Sequence, residues 1–172
     1  YEINFARYLP ATLSILTIFS IFYLSIILKT KNYIFLLFLI SFNIYHIKYA
    51  QELRSYSLIV FLTSISLIFF FKIIDKNYVK KNLITIFFII SQILIVLTHI
   101  YGLIIIFSFV VFDCLAYYKF KKTNIYLHLA NIVTCIISLI FLIIYLKNIS
   151  QDRKSTRLNS SHTDISRMPS SA

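Results

Sequence analysis

Glycine is nearly absent: there is one in 172 residues, alongside two prolines and no tryptophan. A phosphate-cradling P-loop cannot be built from a single glycine, and no HExxH, CxxC or GxSxG pattern occurs either. The two cysteines, Cys114 and Cys135, fall inside apolar runs without metal-ligand spacing and read as buried, inert thiols. Acidic residues are few, six against 17 lysines and arginines, which gives a formal net charge of +11. That surplus does not point to nucleic acid, because the lysines sit in short loops and form no continuous basic face. The chain is instead rich in apolar length, with 59% hydrophobic residues, more than a soluble domain of this size can bury. The fold class expected is all-α, a polytopic integral membrane protein. The abundance of Ile, Phe, Tyr, Asn and Lys is also what AT-rich codons produce. The chain opens on Tyr1 without a basic stretch and cleavage site, so it reads as an internal fragment.

Six apolar runs mark about six expected spans, at residues 9–28, 33–45, 57–71, 83–97, 103–118 and 125–146. The first and last are long enough to cross a bilayer as helices. The second is short and also fits a re-entrant or interfacial piece. Lys29, Lys31, Lys72, Lys76, Lys80, Lys81, Lys119, Lys121 and Lys122 fill alternate loops, whereas the other side has only Arg7, Lys48, Arg54 and Lys147. By the positive-inside rule the lysine-rich loops are cytoplasmic, and residues 46–56 and 98–102 are extracytoplasmic. The expected location is a plasma (inner) membrane.

Residues 152–172 differ in kind. They are rich in Ser and Arg and have almost no large apolar side chains. Residues 152–162 correspond codon by codon to a short-read sequencing adapter, and residues 166–172 to its next segment, with 163–165 spanning an index. The tail is expected to be a disordered assembly artefact, so the partial membrane domain comprises residues 1–151. The rival reading is a natural disordered tail.

Between the second and third runs lies the densest polar cluster of the hydrophobic body: His46, Lys48, Gln51, Glu52 and Arg54, interleaved with Tyr45, Tyr49 and Tyr56. Charges deep in hydrocarbon cost at least about 2.5 kcal/mol each, so the cluster belongs at a membrane surface or around a polar site. Tyrosine suits that depth, with its ring in the apolar zone and its hydroxyl in water. Arg54 has the planar fork that holds two phosphate oxygens; otherwise it pairs with Glu52 or a headgroup and anchors a helix. If residues 50 onward are helical, Gln51 and Arg54 share one face and Glu52 and Tyr56 another. Lys48 and His46 fit interfacial snorkelling as well as ligand binding. His99, with Tyr101, either contacts a ligand or caps a helix beside Gly102. Asp113 is expected to pair with a loop lysine, and Gln92 to make an interhelical hydrogen bond.

The run Tyr49-Ala50-Gln51-Glu52-Leu53-Arg54-Ser55-Tyr56-Ser57-Leu58 resembles a motif of polytopic C-type glycosyltransferases, the relatives of protein O-mannosyltransferases and of the enzymes that add aminoarabinose to lipid A. Thr98-His99-Ile100-Tyr101-Gly102 resembles that family's turn between two later helices, and Ala6-Arg7-Tyr8-Leu9-Pro10-Ala11 the start of an earlier span. The three follow in the family's order and cover about residues 5–118. The resemblance implies transfer of a sugar from a dolichyl- or undecaprenyl-phosphate carrier to a protein, lipid or glycan acceptor on the extracytoplasmic face. The candidate substrate- and carrier-phosphate-binding residues are Arg54, Gln51, Glu52, Lys48, His46, Tyr56, His99 and Tyr101, with Glu52 either orienting Arg54 or binding an acceptor group. The family's catalytic aspartate would lie upstream of Tyr1, so no catalytic residue is assigned and the fragment alone is expected to be inactive. No cofactor and no metal ligand is assigned; the family's divalent-ion requirement varies. A transporter or flippase, and a structural membrane subunit, are the rival functions. A transporter needs polar residues at mid-bilayer, whereas here they gather at one surface.

Overall fold

The computed structural model describes the backbone of residues 2–52, 54–75, 80–120 and 125–165, and the side chains of residues 7–52, 54–75, 80–115, 117–118 and 125–151. Leu53 of the polar cluster, the loop residues 76–79 and 121–124, and residues 166–172 lie outside the described residues. Every regular element described is an α-helix: α1 (Glu2–Ile27), α2 (Tyr33–Ser41), α3 (Ile44–Gln51), α4 (Tyr56–Ile74), α5 (Lys81–Thr98), α6 (Gly102–Phe120) and α7 (Ile125–Ile165).

α1 is inside-out compared with a helix of a water-soluble bundle. On α1 the buried positions Ser14, Thr17, Ser20 and Leu24 recur every three or four residues and are mostly small and polar. The outward face carries Ile15, Leu16, Phe19, Phe22 and Ile26. In lipid the hydrophobic effect does not drive helices together; small residues that let backbones approach, and hydroxyls that bond across the interface, do so instead. Ser20 on α1 hydrogen-bonds Ser64 on α4, and Ser66 on α4 donates to Ser91 on α5 at 2.7 Å. The aromatic core lies lower in α4, where Phe70 meets Phe88 of α5 and Phe109 and Phe112 of α6 at centroid distances of 6.2, 5.3 and 5.3 Å.

Four helices are long and apolar enough to cross a bilayer: Arg7–Ile27, Tyr56–Ile74, Lys81–Thr98 and Ile125–Gln151. The count rises to five if α2 and α3, bent by 52° at their junction, form one broken span. The apolar part of α6, Gly102–Leu115, is shorter than a span, so six is not reached among the described residues. The second expected span, 33–45, is not continuous. Asn43 breaks it by taking an extended conformation and capping α3, its Oδ1 accepting the N–H groups of Tyr45 (2.9 Å) and His46 (3.2 Å).

Two turns show what glycine scarcity entails. After α1 the N–H groups of Lys29 and Thr30 bond back to Ile26 and Ser25, the six-residue closure that usually places glycine in the left-handed position. Lys29 occupies that position instead, at φ 51°. The one glycine is used where no other residue fits. A Cβ on Gly102 would lie 2.6 Å from the Ile95 carbonyl oxygen.

Two compact units are distinguished, Tyr1–Cys135 and Ile136–Ala172. The change of composition at residue 152 does not coincide with that division, and α7 continues through Ile165. The backbone of the segment expected to be disordered is therefore helical as far as that residue. The cysteine expectation also changes: Cys114 is exposed and Cys135 half-buried.

Candidate functional site

The polar cluster is a break between helices, not part of one. α3 ends at Gln51, Glu52 is extended (φ −87°, ψ 136°), and α4 begins only at Tyr56. The expected sharing of helix faces by Gln51 and Arg54, and by Glu52 and Tyr56, therefore does not hold. The break arranges the charges differently. Glu52 stands between two cations, with Lys48 Nζ 3.9 Å from one carboxylate oxygen and Arg54 Nε 3.8 Å from the other. Lys48 and Arg54 are largely exposed, so these pairs contribute little to stability and leave both cations able to turn to another anion. Gln51 is exposed at the end of α3.

A ladder of rings joins the two motifs. Tyr45 stacks on Tyr49 (6.5 Å between centroids), Tyr49 on Tyr56 (4.8 Å), Tyr56 on His99 (5.8 Å), and His99 on Tyr101 (4.6 Å). α4 and α5 run in opposite directions, so the start of one and the end of the other meet, and the ladder spans α3, α4 and the turn into α6. Of the two roles expected of His99, the capping one is visible in this geometry. Its backbone N–H caps α5 by bonding the Ile95 carbonyl at 3.3 Å, and its Nδ1 accepts the Tyr101 N–H at 3.2 Å. Its ring faces remain committed to Tyr56 and Tyr101.

Two cavities flank the cluster. Arg54 lines one of about 250 Å³ together with Leu9, Pro10, Leu13 and Ser57, which brings the start of the chain against the break. His46 lines the other, of about 270 Å³, with residues of α1, α2 and α4. Arg54 and His46 thus do not share a cavity, although Ser57 borders both. The Nε2 of His46 and the Oγ of Ser14 are buried without a hydrogen-bonding partner among the described residues.

A second polar centre was not foreseen. Asp113 on α6, 6% exposed, receives His128 Nδ1 at 2.6 Å and donation from Asn131 Nδ2 at 3.0 Å, both from α7. The expected partner was a loop lysine; the side chain of Lys119 lies outside the described residues. His128 and Asn131 are three residues apart and so share a helix face, the one sequence signal that could have paired them with an acid. Gln92 departs from expectation, being 1% exposed with neither amide atom hydrogen-bonded among the described residues. Among the described residues no three of His, Cys, Asp and Glu converge as a metal would require.

No protein-family model matches the chain, and neither a curated protein nor a solved structure matches it.

Proposed function

We propose that residues 1–151 are part of a C-type membrane glycosyltransferase that moves a sugar from a polyprenyl-phosphate carrier to a protein, lipid or glycan acceptor at the extracytoplasmic face of a plasma membrane. One observation carries this reading: three stretches far apart in sequence converge. Arg54 shares a cavity with Leu9 and Pro10, and Tyr56 stacks on His99. A lipid-phosphate donor requires such a meeting of cation, aromatic rings and apolar helix ends at one end of a bundle. Arg54, held only by a long contact to Glu52, is the group that takes the phosphate, because a cation there offsets charge developing on the leaving oxygen. Glu52 orients it. Arg54→Ala in the reconstituted parent protein is expected to lower transfer of labelled sugar at least about tenfold, since charged hydrogen bonds contribute about 1.5–3 kcal/mol. Full activity in that variant removes the assignment.

A second reading, a transporter or flippase, is favoured by one observation, the buried Asp113–His128 pair. Intramembrane acid–histidine pairs serve proton relays in transporters. It requires proton-coupled flux into proteoliposomes that Asp113→Asn abolishes. Flux equal to that of empty liposomes rejects it.

A further inference from the structure

A third cavity lies away from the polar cluster, and two small side chains create it. Residues of α4 from Thr63 to Phe71 and of α6 from Ile105 to Phe112 wall a groove of about 340 Å³. Thr63 and Ser108 stand in that wall among Leu, Ile and Phe, and the missing side-chain volume at these two positions opens it. Their hydroxyls are already satisfied, Thr63 donating to the Ile59 carbonyl at 2.7 Å and Ser108 to that of Ile104 at 2.9 Å. No wall residue is charged. The groove therefore offers apolar contact and no free hydrogen-bonding group, and a polar occupant would lose its water there without compensation.

Length, width and depth narrow the occupant further. At 1.5 Å per residue the α4 wall is about 12 Å long, most of the ~15 Å that one leaflet adds to a bilayer core. The volume spread over that length leaves a cross-section of about 28 Å². A helix about 10 Å across needs about 80 Å², so a single hydrocarbon chain fits where a helix does not. The groove is also off centre in the bilayer. It ends three residues before the lysine-bearing end of α4 at Ile74, but begins seven residues after the other end at Tyr56. At the near end stand Lys80, Lys81 and Lys72, the last with its Nζ over the Tyr23 ring. Asp75 is the exposed acid there, and the nearby Asp113 is buried and bonded to His128 and Asn131. We infer that the groove holds one acyl chain of an anionic phospholipid from the leaflet on the lysine side, its headgroup among those lysines. Arg54 lies at the opposite end of the bundle, so this site and the sugar-transfer reading fail independently.

The test is native mass spectrometry of the full chain released from nanodiscs holding equal amounts of phosphatidylglycerol and phosphatidylcholine. One phospholipid is expected to stay with each chain. Phosphatidylglycerol should be preferred at least about fivefold, the contribution of one lysine near an anionic surface. Because the groove takes one chain, lysophosphatidylglycerol should compete as well as the two-chain lipid. Ser108→Leu fills the groove from its exposed side and should weaken retention about fourfold for each CH₂ displaced. Thr63→Leu fills it from the α4 wall and replaces the first variant if that one does not fold. Lys80→Gln combined with Lys81→Gln should lower the preference about fivefold while a lipid is still retained. Leu139→Phe, at an exposed position of α7, should match the parent. Equal retention of phosphatidylcholine, or full retention in a folded groove variant, overturns the assignment. So does displacement of phosphatidylglycerol by undecaprenyl phosphate, which gives the groove to the carrier, or a dimer that Ser108→Leu dissociates, which gives it to a second copy.

Discussion

Asp113 shows how far from its own helix the partners of a side chain can lie. Its nearest cation along the chain is a loop lysine, and local reasoning stops there. His128 and Asn131 reach it from the following helix, a contact that no spacing rule within α6 reveals. The pair should be strongly coupled because Asp113 is buried and the contact is short. Asp113→Ala and His128→Ala, combined in a double-mutant cycle and followed by thermal unfolding, are expected to show a coupling of about 1–2 kcal/mol. Additivity within about 0.3 kcal/mol would mean that the two do not hold each other. Gly102 is a residue-scale case in which the constraint is the backbone of a neighbouring turn. A chain that uses glycine once uses it where space is least, against the Ile95 carbonyl. Gly102→Ala is expected to destabilise by about 1–3 kcal/mol, as overpacking does, with a lower melting temperature by circular dichroism.

At the scale of elements, the apolar runs give the end of α1, both ends of α4, α5 and α6, and the start of α7 to within three residues, whereas α1 begins at Glu2, well before its run. The α2–α3 junction is the exception. Asn43 is flanked by Phe42 and Ile44, so hydropathy continues across it, and only the capping hydrogen bonds of its side chain reveal a helix start. The same blindness affected the polar cluster, where assumed helical continuity placed Gln51 and Arg54 on one face. Glu52 is extended, and the chain breaks there instead. If the Asn43 cap sets the bend, Asn43→Ala should lower stability by about 1 kcal/mol. Spin-label distances between α2 and α3 should broaden at the same time. An unchanged, narrow distance distribution would show that packing against α1 and α4 fixes the angle without the cap.

For the whole molecule, the helical class was legible because a 59% apolar chain has few other solutions. The inverted pattern of small polar interior and large apolar exterior was not. Serine at positions 20, 64, 66 and 91 carries no periodic hydrophobic signal of its own, and its partners lie on other helices. The candidate site was legible as a set of residues, and its internal grouping was not. Tyr56, His99 and Tyr101 do assemble with Tyr49, whereas Arg54 and His46 separate into different cavities. Sequence order could announce that these residues share an end of the bundle, but the side of the break on which each falls depends on backbone torsions at Glu52.

The row of stacked rings from Tyr45 to Tyr101 has one more consequence. Because each ring touches the next, the row ties the short third helix to the turn that opens α6. Since the chain contains no tryptophan, a single indole substituted for Tyr101 would report that linkage optically, its emission changing when Tyr45 at the opposite end of the row is replaced by alanine.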